Sequence, residues 1–266
     1  MKPKFSLAPL VYVTLLMVPV YWLLVISVKS IAEISGEITL FPHAPTAENY
    51  QFIFDDASLY NGYVNATIYV LMNVVISVVV AIPAAYGFSR YRFRGDRVLF
   101  FGFLAFRMMA PAVLLVPFVE IFSQLGLIDT HIAVALAHCF FNVPLAIWIL
   151  EGFISSIPRE MDDIAKVDGY GFTGFFLRIL LPQIAPGITV AAFFCFLFSW
   201  TETLLSGALT VVNAKPIGGL MSRFATVLAA DVPLLAASGV LGLVPGIILI
   251  LFIRKHLARG FSMGRV

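Results

Sequence analysis

The chain has 266 residues, 61% of them hydrophobic and 12% charged, with a formal net charge of +2 and a mean hydropathy of +0.98. Soluble globular chains carry roughly 45–50% apolar and about 25% charged residues, so a water-soluble fold has too little polar surface here, and the same figures exclude disorder. The small net charge argues for neither nucleic acid nor an acidic partner, and Cys139 and Cys195 lie inside apolar runs, which leaves no basis for a disulfide-built secreted domain.

A bilayer core about 30 Å thick takes roughly 20 apolar residues as a helix. Six stretches meet that requirement, at about 8–28, 64–88, 98–122, 132–150, 184–208 and 234–253. They are apolar on all sides rather than alternating, so helices rather than barrel strands satisfy their backbone groups. The expected fold class is all-α, a polytopic membrane protein with six transmembrane helices forming one domain over 1–266.

The first stretch follows Met1-Lys2-Pro3-Lys4, is longer than a signal-peptide core and runs to Lys29 without a small-residue cleavage site, so an uncleaved span is expected. A polar loop over about 29–63 follows, with Glu33, Glu37, Glu48, Asp55 and Asp56. In the second stretch Asn73 and Ser77 stand one turn apart, as polar residues that glue helices together. The third carries Arg107 close to Pro111 and Pro117, which break the helix and point to a bend lining a cavity. Arg107 then has two readings: a residue of the translocation path, or a cap for the carbonyls freed at the bend. In the fourth, His138 near Cys139 and Asn142 reads as a helix-packing hydrogen-bond partner in preference to a ligand. The fifth carries Ser199, Trp200, Thr201 and Glu202 near its external half, whose aromatic face and polar groups suit a neutral polyhydroxy solute and are expected to line a path.

With six spans both termini share a side. To that side fall Lys2, Lys4, Arg90, Arg92, Arg94, Arg97, Arg159, Lys166, Arg178, Arg254, Lys255, Arg259 and Arg265, 13 of the 17 Lys and Arg, leaving Lys29, Arg107, Lys215 and Arg223. Cytoplasmic loops collect positive charge, so both termini are expected in the cytoplasm.

The loop between the fourth and fifth spans, about 151–183, is then cytoplasmic. In it Ile157, Met161, Ile164 and Ala165 follow the i, i+4, i+7, i+8 spacing of one helix face, while Arg159, Glu160, Asp162, Asp163 and Lys166 take the others. Ser156 is the expected cap, Pro158 sits in the first turn, and Gly169 and Gly171 end the helix; a second short segment from Phe172 to Leu181 closes at Pro182. Such a helix can lie in the headgroup layer. Its polar face carries more acids than bases, however, which suits a protein groove better than an anionic leaflet.

The run Ile157-Pro158-Arg159-Glu160-Met161-Asp162-Asp163-Ile164-Ala165-Lys166-Val167-Asp168-Gly169, continued by Ile179-Leu180-Leu181-Pro182, resembles the "EAA" loop of permease subunits in bacterial ABC importers of the carbohydrate, maltose-permease-like class. Supporting segments are Phe41-Pro42 to Glu48-Asn49-Tyr50, Ala85-Tyr86-Gly87 to Phe93, Met109-Ala110-Pro111, Trp200-Thr201-Glu202 and Gly260-Phe261-Ser262-Met263-Gly264. Asp163 replaces the family's Glu, Ile164 an Ala, Tyr170 an Ala and Thr201 an Asn. The resemblance implies that Ile157, Glu160, Met161, Asp163, Ile164, Ala165, Asp168, Gly169 and Pro182 couple the chain to an ATP-binding subunit. It implies as partners a second homologous permease, two ATP-binding subunits and an external solute-binding protein in an inner membrane. It also implies that the chain is no enzyme and binds no cofactor, ATP and Mg²⁺ being held by the partners.

Other motifs carry less. Gly169-Tyr170-Gly171-Phe172-Thr173-Gly174 fits G-x-G-x-x-G but follows a charged helix rather than a strand, no phosphate-binding P-loop occurs, and His43, His131, His138 and His256 lack metal-ligand spacing. The stretch Asn213-Ala214-Lys215-Pro216-Ile217 and the ending Gly264-Arg265-Val266 look like glycerol-type importers, which leans the solute from sugars toward polyols. The alternative function is an ion-coupled secondary transporter, for which Glu202 is the sole candidate coupling carboxylate.

Overall fold

The computed structural model describes residues 7–36, 39–227 and 231–262. Met1, Lys2, Pro3, Lys4, Glu37, Met263, Gly264, Arg265 and Val266, named above, lie outside the described residues. Among the described residues all regular structure is helical. The elements are α1 (Leu7–Ser27), α2 (Ile31–Ile34), α3 (Glu48–Asp55), α4 (Ala57–Arg90), α5 (Asp96–Arg107), α6 (Pro111–Gln124), α7 (His131–Ser155), α8 (Glu160–Val167), α9 (Phe172–Phe175), a π turn (Phe176–Leu180), α10 (Leu181–Thr201), α11 (Leu204–Leu209), α12 (Ile217–Val227) and α13 (Val232–Ser262).

Five helices are long and apolar enough to cross a membrane, and they coincide with the first, second, fourth, fifth and sixth predicted stretches. The third predicted stretch is not one helix. It is α5 and α6, bent by 94° and counting as a sixth span only if the pair is taken together. The cause is local: Pro111 opens α6, and a residue before proline is driven out of the helical region, as Ala110 is at φ −68°, ψ 132°.

A second departure concerns Pro182, which does not end the segment that begins at Phe172. Residues Phe172–Thr201 form one continuous run of 30 residues. Proline inside an α-helix lacks an N–H and clashes with the carbonyl four residues back; the wider π turn immediately before α10 lets the run continue through Pro182.

The chain forms two compact units. The first comprises residues up to Tyr63 together with Ile217–Ile247. Its apolar centre is Ile53, Leu59, Leu234 and Ala237, and the Tyr63 hydroxyl donates to the Ser238 carbonyl at 2.9 Å. Lys29 is buried, its ammonium donating to the Thr39 carbonyl and hydroxyl at 2.7 and 2.8 Å.

The second unit is built of Val64–Pro216 and Ile248–Val266. One apolar cluster joins Ala81, Leu150 and Ile184 with Ala165 of α8; another joins Tyr69, Val70, Phe122, Ala133 and Leu209. Helices α7 and α10 touch through Gly187, where a Cβ would meet the Phe153 ring at 2.6 Å. Between the two clusters along α4, α7 and α10 lies a fully buried polar group. Asn142 Nδ2 donates to Asn73 Oδ1 at 2.6 Å and to the Cys195 carbonyl at 3.1 Å, Ser199 donates to Asn73 Oδ1 at 2.8 Å, and Asn73 Nδ2 donates to the Ala135 carbonyl at 2.9 Å. In an apolar surround such groups bind helices to one another where they satisfy each other, as the Asn142 amide N–H groups, Ser199 and Asn73 do here, although Asn142 Oδ1 has no partner among the described residues.

At the end of this unit away from Arg90, Asp129 takes a left-handed conformation, φ 63°, which Asp tolerates better than most residues. Its carboxylate accepts from the backbone amides of Val211, Val212, Asn213 and Ala214 at 2.8–3.2 Å. Burial works to raise its pKa, but the four amides outweigh it and hold Asp129 down at about 2. A lowered carboxylate pKa contributes stability that is present above the unfolded value near 4 and is lost as pH falls toward 2. We expect the stability difference between the wild type and Asp129→Asn, measured as Tm of the purified chain, to be constant from pH 7 to 5 and to shrink below pH 4. An undiminished difference at pH 3 would contradict this assignment.

Candidate functional site

The loop after α7 is built from its ends inward. Ser156 does not cap the loop helix as expected; it is the C-cap of α7, its hydroxyl donating to the Phe153 carbonyl at 2.7 Å. Pro158 holds the chain outside the helix, and α8 starts at Glu160 with Arg159 as N-cap. Three acids, Glu160, Asp162 and Asp163, fall in the first turn and Lys166 in the last, the polarity that complements the helix dipole. Termination is by Gly169, as expected. At φ 80° it is left-handed, its N–H donates to the Lys166 carbonyl at 3.0 Å and Tyr170 N–H to the Ala165 carbonyl at 2.9 Å. That is the paired Schellman arrangement, which glycine adopts without a Cβ penalty.

The inward face of α8 differs from the apolar spacing of the sequence. Ala165 is buried and Ile157 and Met161 are half-buried, but Ile164 is 54% exposed and Val167 87%. The position turned inward in place of Ile164 is Asp162. Arg90 Nε donates to Asp162 Oδ2 at 2.9 Å and the Tyr86 hydroxyl to the same oxygen at 3.0 Å. Arg90 also donates to the Ile157 carbonyl at 3.1 Å and Arg159 to the Ser89 carbonyl at 2.9 Å. An eight-residue helix is marginal in isolation; α8 persists because these four bonds fasten it to the last turn of α4. The Tyr86 ring is in turn packed edge-on by Phe172 and Phe176, 6.0 and 5.8 Å between centroids, so α9 and the π turn share the same anchor. No spacing rule could single out Asp162, because Arg90 lies 72 residues earlier. What the sequence did offer was an arginine at the end of a span facing a loop with surplus acids.

The outward face carries Glu160, Asp163, Ile164, Val167 and Asp168, all exposed. Asp163 accepts from Lys166 at 3.0 Å, both side chains more than 70% exposed, and this bond raises the ammonium pKa. Pro182 stands apart from this face, in the first turn of α10.

The second group of predicted residues is not gathered at one surface. Ser199 is fully buried within the Asn73 and Asn142 cluster, as described. Glu202 is 8% exposed and caps α11: Oε1 accepts from the amides of Leu204 and Leu205 at 2.8 Å each, Oε2 from Ser206 N–H at 3.1 Å, and Oε2 lies 3.0 Å from His138 Nε2. His138 is thus a packing partner, as its position implied. Trp200 stacks on Phe196 at 5.7 Å, and Thr201 is exposed with its hydroxyl donating to the Leu197 carbonyl at 2.8 Å. Arg107, the last residue of α5, lies over the Phe198 ring at 4.5 Å to the centroid, a cation–π contact.

The family described as "Binding-protein-dependent transport system inner membrane component" matches residues 74–263, which include α8 and both groups above. The chain belongs to this family. It is a multi-pass membrane permease of an ABC importer rather than the subunit that hydrolyses ATP, and membership decides against ion-coupled secondary transport. Among curated relatives, the permease is 29% identical to the sulfoquinovosyl glycerol transport system permease of Agrobacterium fabrum, over 92% of this chain and 87% of the relative. It is 29% identical to the trehalose transport system permease of Mycobacterium tuberculosis, over 94% and 92%, and 26% identical to the maltodextrin transport system permease of Bacillus subtilis, over 95% and 93%. The fold of the permease is that of type I importers: a crystal structure of a bacterial ABC transporter for the acidic polysaccharide alginate superposes with a TM-score of 0.77 at 20% identity, covering 96% of this chain and 99% of that one.

Proposed function

We propose that this permease forms half of the pathway of a carbohydrate or polyol importer, paired with a second permease, two ATP-binding subunits and an external solute-binding protein, with both termini in the cytoplasm. The observation that carries the coupling role is the two-faced α8, bolted through Asp162 to α4 on one side and presenting Glu160, Asp163, Ile164 and Val167 to the outside on the other. An exposed apolar pair ringed by acids is a surface for a protein groove. The ATP-binding subunit is its proposed occupant, with Ile157, Met161, Ala165, Asp168, Gly169 and Pro182 setting the helix's position. When two such subunits close on ATP, the helix is displaced and the spans follow; ATP and the loaded binding protein each favour the outward state by binding it better. No cofactor is assigned to this chain.

The carbohydrate class rests on the relatives, whose names carry trehalose, maltodextrin and a sugar-headed glycerol. Arg107, Trp200 and Thr201 are proposed to face the pathway, with Ser199 and Glu202 behind them as supports.

Reversing one charge tests the docking. Asp163 is exposed and among the described residues has Lys166 as its one partner, so Asp163→Lys leaves the fold intact. The expected result is at least a ten-fold loss of ATP-binding subunit on co-purification and loss of uptake, with solute affinity of the external protein unchanged. Normal uptake and normal co-purification would refute the docking.

A further inference from the structure

At the end of the second unit that carries Arg90, a cavity of about 220 Å³ opens beside the turn at 91–95, the start of α5 and the end of α7. Three guanidinium groups, Arg92, Arg97 and Arg159, line it with the rings of Phe88, Phe100 and Phe101. Two carboxylates also line it, but each has a local partner: Asp96 Oδ1 accepts from the Arg97 backbone N–H and Glu151 Oε1 from the Ser155 hydroxyl, both at 2.6 Å. Arg92 approaches Asp96 only to 3.8 Å and is 73% exposed, a geometry in which an ion pair contributes little. The Arg97 side chain has no ion pair or hydrogen bond among the described residues, and Arg159 uses one N–H on the Ser89 carbonyl. Three guanidinium groups against two carboxylates leave the lining with one net positive charge, with donors free to turn inward.

Directly beside it the first two turns of α5 expose Val98 at 79%, Leu99 at 48% and Phe101 at 64%. An arginine cluster bordering an apolar strip at the end of a membrane bundle has the two chemistries of a lipid in the right order. Its size falls below the roughly 300–1,000 Å³ of clefts that enclose drug-sized ligands, so one headgroup fits it better than a whole solute.

We propose that this cavity binds the phosphate of an anionic phospholipid, with Arg92 and Arg97 on the phosphate oxygens and the acyl chains along Val98, Leu99 and Phe101. Guanidinium forks match phosphate geometry bidentately, and basic pockets between transmembrane helices take anionic headgroups. The cavity shares Arg159 and Ser89 with the anchor of α8, but the two arginines assigned to the phosphate, Arg92 and Arg97, take no part in that anchor.

Native mass spectrometry of the purified full chain in detergent tests it, with phosphatidylglycerol, phosphatidylethanolamine and inorganic phosphate as probes. Each charge near the surface is worth about five-fold, so the exposed double variant Arg92→Gln/Arg97→Gln should weaken phosphatidylglycerol roughly thirty-fold. Arg97→Lys should lose only a few-fold, phosphatidylethanolamine should bind weakly, and Arg94→Gln, which removes an exposed charge outside the cavity, should lose no more than the roughly five-fold of one surface charge. Unaltered binding by the double variant would overturn the site, as would an equal loss with Arg94→Gln. Displacement of the lipid by low-millimolar inorganic phosphate would overturn the lipid source.

Discussion

Arg90→Ala is expected to free α8 from α4 while leaving the spans in place. The pair it breaks has side chains 6% and 13% exposed, and removing one member of a buried pair leaves the other charge uncompensated, at a cost of about 3–5 kcal/mol. The same substitution removes the bond to the Ile157 carbonyl. With α8 too short to hold itself, the local opening should appear before global unfolding: protease sensitivity over 156–171 should rise more than ten-fold in the purified chain, and uptake by the assembled importer should fall to background. The apolar double variant Arg90→Met/Asp162→Leu removes both charges together and should recover most of the protease resistance. A single variant as resistant as the wild type would show that the ion pair does not anchor the helix.

Gly169→Pro is the second large effect. Gly169 stands at φ 80° and donates to the Lys166 carbonyl; proline is locked near φ −65° and has no N–H, so neither the conformation nor the bond survives. Gly169→Ala keeps the N–H and meets only the left-handed penalty of about 1–2 kcal/mol, since a Cβ at this position has open space around it. The expected order in uptake is wild type, then Ala with a partial loss, then Pro with none. Solute affinity of the external binding protein should be the same in all three. If Ala and Pro were equally impaired, bulk at the position rather than backbone conformation would be the cause.

The spans were legible because their signal is local. About 20 apolar residues in a row need no partner to be recognised, and α1, α4, α7 and α13 begin or end within a few residues of expectation at most boundaries. The third stretch was legible in part: Pro111 announced the break, but hydropathy measures composition and is blind to the 94° angle, which depends on packing, and Pro117 sits inside α6 without breaking it. In the loop, Gly169 was legible because its chemistry is its own, whereas Asp162 was assigned to the wrong side. A spacing rule sorts residues by polarity, and here a carboxylate faces inward while Ile164 and Val167 face out. That inversion becomes readable only once Arg90 and Tyr86 are known to meet it. Glu202 shows the same limit: an acid at the end of a span looks like a solute contact, and the three amides it caps belong to a helix, α11, too short to be seen in a hydropathy profile.

The wide turn over Phe176–Leu180 sets an angle as well as sparing Pro182. Each residue of an α-helix advances about 100° and 1.5 Å, so deleting a single residue there would leave an unbroken regular rod whose leading end had swung by about a quarter turn. Asp162 could then no longer reach Arg90 while Ala191 and Cys195 kept their places in the bundle. The surplus residue is a shim: it fixes the azimuth at which the membrane rod meets α8, and a length change of one in this stretch should be far more damaging than most substitutions within it.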